Sequence, residues 1–87
     1  MPVISFFYGL IIQMFWAEGS NNTPHIHVEY DDCTAVVDFD GNYIKGELPA
    51  NKKKMLDVWI DLHKEELKTC WRLMRKGEPA IKIEPLK

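Results

Sequence analysis

The sequence predicts an α+β domain: an antiparallel sheet of about four strands, one long helix packed on one face, and a short C-terminal edge strand. Three observations predict it. Residues 10–48 break into short β-branched and aromatic runs separated by turn formers, with polar and apolar residues alternating most clearly over 25–30. From Asn51 to Lys76 the apolar spacing changes from two to about 3.6 residues. A chain of 87 residues holds a single domain, 1–87, with a small core.

The stretch Val3 to Trp16 is rich in β-branched and aromatic residues, and 10–17 reads as the first strand. Glu18-Gly19-Ser20-Asn21-Asn22-Thr23-Pro24 is a loop of breakers. His25-Ile26-His27-Val28-Glu29-Tyr30 is a half-buried strand, Asp31-Asp32 a short turn, and 33–39 a third strand. Asp40-Gly41-Asn42 signals a tight hairpin into a fourth strand over 43–48, ended by Pro49. The helix follows over 51–76. Leu56, Ile60, Leu67, Cys70, Trp71 and Met74 form its apolar stripe, with Met55 and Trp59 at the edge. Asn51 is placed to cap its start and Gly77 to stop it in a left-handed conformation. Ile81-Lys82-Ile83-Glu84 alternates as the final edge strand.

Charge is divided between the halves. Residues 1–50 carry one cation and seven anions, whereas 51–76 carry eight cations and four anions. The net charge of −2 argues against a general nucleic-acid or membrane-surface binder. The Val3–Trp16 stretch is shorter than the roughly 18–20 apolar residues of a spanning helix, and no basic segment precedes it as in a signal peptide. A cytoplasmic location is therefore expected, with Cys33 and Cys70 as reduced thiols. Two cysteines without a Cys-x-x-Cys pair exclude a disulfide scaffold and a zinc ribbon.

Pro24-His25-Ile26-His27-Val28-Glu29 is the most pointed motif. On a strand His25, His27 and Glu29 share a face. Paired imidazoles with a carboxylate suit a divalent transition metal such as zinc. The same three side chains also suffice as the solvent-facing edge of an amphipathic strand. His63, inside the helical stripe, is a fourth candidate ligand or a satisfied core histidine. A helix packed on Ile26, Val28 and Tyr30 leaves His25 and His27 on the other side, so a three-histidine site needs the reverse packing or a second chain. Lys52, Lys53 and Lys54 crowd the positive end of the helix dipole, and Arg72 and Arg75 extend the basic strip. They are the candidates for nucleic-acid contact, although Trp59 and Trp71 fall on the buried stripe rather than between them for base stacking. No phosphate loop or nucleophile elbow occurs, so the residues name no catalytic set.

Several segments together carry a resemblance: Met1-Pro2-x-Ile4-Ser5-x-Phe7-Tyr8-Gly9-x-Ile11-Ile12, then Pro24-His25-Ile26-His27-Val28-Glu29-Tyr30, then Trp59-x-x-Leu62-His63-Lys64-Glu65-Glu66-Leu67, and finally Gly77-Glu78-Pro79 with Ile83-Glu84-Pro85-Leu86. Over nearly its whole length the chain resembles the small prokaryotic family called domain of unknown function 4160. The resemblance implies a short cytosolic protein, often encoded beside a second small protein in pairs that look like toxin–antitoxin or regulatory systems. It transfers no activity. The expectation is an interaction module that pairs with a second small protein, with a second copy of itself, or with both, because one helix about 10–12 Å wide leaves a sheet face uncovered. The alternatives are a metal-dependent hydrolase or nuclease on the histidine strand and nucleic-acid contact through the basic helix.

Overall fold

The computed structural model describes residues 3–14 and 24–86. Five strands form one antiparallel meander in sequence order: β1 (Val3–Phe7), β2 (Leu10–Gln13), β3 (His25–Tyr30), β4 (Cys33–Asp38) and β5 (Tyr43–Gly46). Two helices follow, α1 (Ala50–Leu62) and α2 (Lys64–Arg75). The α+β class stands. Strand number, helix number and the C-terminal strand differ from the sequence expectation.

The additional strand comes from the apolar stretch at the start of the chain. Tyr8 and Gly9 both take positive φ, 49° and 82°, and make a two-residue turn that pairs Phe7 with Leu10. The expected strand over 10–17 is the second arm of this hairpin and ends at Gln13; Met14 follows it, buried, and residues 15–17 and the loop over 18–23 lie outside the described residues. At Tyr30↔Cys33 another two-residue turn puts Asp31 at a φ of 54°. The β4–β5 turn is organised by Asp38, whose Oδ1 accepts the backbone N–H groups of Asp40 and Asn42 at 2.9 and 2.8 Å. The fourth expected strand closes early, at Gly46. Its φ is +73°, and a Cβ there would run into the carbonyl oxygen of Thr34, so only glycine fits.

The predicted single helix is interrupted at His63, which takes φ −116° and ψ 21°. The backbone bonds His63 N–H to Trp59 O and Leu67 N–H to His63 O persist, so the break is a kink rather than a reversal. Glu65 and Glu66 occupy the first turn of α2, where carboxylates favour a fresh helix start. The kink also explains a misplaced tryptophan. A continuous stripe puts Trp59 at its edge, but α1 buries Leu56, Trp59 and Ile60 on its own phase, and Trp59 is fully buried. Pro49, not Asn51, stands at the N-cap; its carbonyl accepts from Lys52 and Lys53, and Asn51 is already inside the helix. The C-terminal stop is as expected. Gly77 has φ +82° and donates to Met74 O, while Glu78 N–H donates to Leu73 O, the paired bonds of a Schellman motif.

Both helices lie on the face of Ile4, Leu10, Ile12, Ile26, Val28 and Val37, which are all at most 1% exposed. Residues 81–84 form no strand. This segment is a strap that meets the β1 edge through one backbone bond, Ile83 N–H to Ile4 O at 2.8 Å. Trp59 Nε1 donates to Glu84 O at 2.9 Å, and Ile83 is buried. No helix among the described residues is long and apolar enough to cross a membrane.

Candidate functional site

The side chains left on the helix-free face follow from strand alternation. Cross-strand pairing aligns Phe6, Ile11, Glu29 and Thr34 in one row, and Gln13, His27, Val36 and Lys45 in the next. Gln13, His27, Glu29, Thr34, Val36 and Lys45 line a shallow depression of about 160 Å³. His27 is half-buried in it. Burial, and then the charge of His25, holds its pKa below the usual histidine value, so the neutral imidazole is favoured.

His25 and His27 are brought together, with ring centroids 5.1 Å apart. His25 opens β3 at the end of the sheet, and its ring also reaches Trp71 of α2 at 5.2 Å. Glu29 lies further along the same face and is exposed. His63 is held elsewhere. Its Nδ1 lies 2.7 Å from Glu66 Oε1, and its ring packs on Trp59 at 5.5 Å. A carboxylate only accepts, so Glu66 fixes the ring proton on Nδ1. Among the described residues no three His, Cys, Asp or Glu side chains converge as metal ligands. The helices take the face of Ile26 and Val28, the packing under which the sequence leaves His63 away from the histidine strand.

The basic candidates separate into two groups. Lys52 donates to Tyr8 O at 3.0 Å and lies 4.9 Å from the Tyr30 ring centroid; Lys53 lies 4.8 Å from that of Tyr43. These cation–π contacts account for two of the three cations at the helix start. Lys54 is exposed. Arg72 donates to Thr69 at 3.3 Å, and both Arg72 and Arg75 sit in the last turn of α2, where the dipole favours cations. Lys52 thus neighbours the last residue of β3, while Arg72 follows Trp71 at the first, about 17 Å away along the strand.

Sequence reasoning missed the tyrosine partners of the lysines, because Tyr8, Tyr30 and Tyr43 come from three separate turns and strands. It also missed the ion pair between Lys64 Nζ and Asp40 Oδ1 at 2.6 Å, which lowers the aspartate pKa and raises that of the lysine. The exposure of Val58 and Leu62, at 52% and 64%, had a signal: neither lies on the apolar stripe.

Fold and site together define a two-layer α+β domain, one meander under one helical layer, whose second sheet face has no cover among the described residues. A family model described as Domain of unknown function (DUF4160) matches residues 9–72 of the 87, and the chain belongs to that family. The match spans β2 to most of α2; β1 and the strap, which bond to each other, lie outside it. No curated protein and no solved structure matches the chain.

Proposed function

We propose that this chain is a small interaction module, one half of a two-protein regulatory or toxin–antitoxin-like system, that meets its partner on the helix-free face of the sheet. One observation carries the reading: among the described residues the five-stranded sheet has helices on one side only, and the other side presents Phe6, 59% exposed and paired with Ile11, with Val36 two strands beyond in a polar surround. A sheet face that mixes apolar and charged groups fits the composition of a protein–protein contact. The test is purification of the untagged chain from its own host, followed by light scattering. A second small protein, or a second copy, should accompany the wild type and be lost from a Phe6→Glu/Thr34→Arg variant with unchanged circular dichroism. A wild-type chain that elutes alone as a monomer overturns the reading.

A metal-dependent hydrolase or nuclease is the second reading, supported by the His25–His27 pair. A separation of 5.1 Å between ring centroids is within the span of two imidazoles on one ion with metal–nitrogen bonds of about 2.0–2.1 Å. Glu29 or water would complete the shell. Zinc should then raise the melting temperature of the wild type and not of His27→Gln. Identical melting in zinc and in chelator removes this reading.

A further inference from the structure

Val58 and Leu62, one turn apart on α1, are the two most exposed large apolar side chains of the helical layer among the described residues. They lie outside the stripe that buries Leu56, Trp59 and Ile60. Leu62 continues into a cleft of about 300 Å³ that it lines with His63, Glu84, Pro85 and Leu86. Two sets of carboxylates flank this ridge. Asp57 and Asp61 line a separate depression beside the β4–β5 hairpin, and on the strap side stand Glu84 and Glu66, the latter paired with His63. Lys64, the first residue of α2, pairs with Asp40 and lines the same depression as Asp57 and Asp61, so it offsets part of the charge on that side. Lys54, one turn before Val58, is the positive group at the ridge's far end.

We infer that this ridge and cleft form a second docking surface, separate from the bare sheet face, for a basic amphipathic helix of a partner protein. An apolar ridge with i, i+4 anchors takes the apolar face of such a helix, and its lysines or arginines meet the flanking carboxylates. A second copy of this chain would have to offer α2, since Lys52 and Lys53 are engaged with tyrosine rings, and the response of a homodimer to Leu62→Gln separates that occupant from a partner protein.

The probe is a labelled helical peptide of leucine and lysine about five turns long, followed by fluorescence anisotropy at low salt. Its leucine–glutamate counterpart is the control. The leucine–lysine peptide should bind at least about tenfold more tightly than the control. Leu62→Gln should weaken it about tenfold, as expected for loss of a central apolar anchor. Asp57→Asn/Asp61→Asn should weaken it and flatten its salt dependence. Phe6→Glu, on the sheet face, should leave it unchanged, so failure here is distinct from failure of the proposed function. Because Leu62 is 64% exposed, Leu62→Gln should keep the wild-type melting curve. Equal binding of the two peptides overturns the inference, as does binding indifferent to Leu62→Gln. A homodimer that Leu62→Gln dissolves also overturns it, by making a second copy the occupant.

Discussion

Two side chains within the sheet give opposite tests of pH. The Tyr43 hydroxyl is buried with no hydrogen-bond partner among the described residues, and its pKa is pushed up to about 12 by burial and then by Asp57. Unfolding releases the group to its ordinary value of 10.0, so stability is lost as pH rises from 10 through 12. Tyr43→Phe keeps the ring under Lys53, removes the unsatisfied oxygen, and should be neutral or stabilising by up to about 1 kcal/mol at pH 7. Urea unfolding at pH 7 and pH 11 reads both effects; a loss above about 1 kcal/mol at pH 7 would show that the hydroxyl has a partner. His27 works in the other direction. Its folded pKa lies below 6.5, so the neutral form is favoured, and stability is lost as pH falls from 6.5 toward the folded value. His27→Gln should have a shallower stability slope below pH 6.5 than the wild type. Parallel slopes for the two proteins would place the imidazole in water.

At the scale of elements, the lysines at the start of α1 are fasteners. Lys52 bonds the β1–β2 turn and covers the Tyr30 ring, so it ties the helix to the sheet; Lys54 touches neither. Lys52→Ala should cost about 1–2 kcal/mol in urea unfolding, against about 0.5 or less for Lys54→Ala. Equal costs would make the contacts incidental. Much of this level was legible. The alternation of 25–30 fixed which face of β3 meets the helices, and Gly77 marked the helix stop. What escaped was information that single residues carry weakly. Tyr8-Gly9 is a hairpin turn with tyrosine in a left-handed conformation, an uncommon choice for that position. The kink at His63 involves no proline or glycine, and only Glu65-Glu66 hinted at a new helix start. The strap over 78–86 alternates like a strand but makes a single backbone bond to β1, since its side chains rather than its ladder hold it. At the candidate site, His25 and His27 were legible as neighbours through strand period. The separation of His63 from them was legible by the same alternation, because helices packed on Ile26 and Val28 leave His25 and His27 on the opposite face.

At the scale of the whole molecule, a domain this size has little core to spare. A chain of 60 residues buries only about 60% of its unfolded surface, and 87 residues gain little on that. The strap therefore matters out of proportion to its length. Ile83 is 3% exposed, its N–H bonds the β1 edge, and the next residue's carbonyl receives the indole N–H of the fully buried Trp59. The helical layer and the outermost strand are thus joined by a segment with no regular structure of its own. Ile83→Ala should cost about 2–4 kcal/mol, the range for a large-to-small change in a closed core, with a red-shifted tryptophan emission as water reaches Trp59. Lys82→Ala, one residue away and exposed, should stay within about 0.5 kcal/mol. If Ile83→Ala were as mild as Lys82→Ala, the strap would be a surface appendage. The core would then close with β1 and the helices alone, and the floor of the Leu62 cleft would be free to move without cost to the fold.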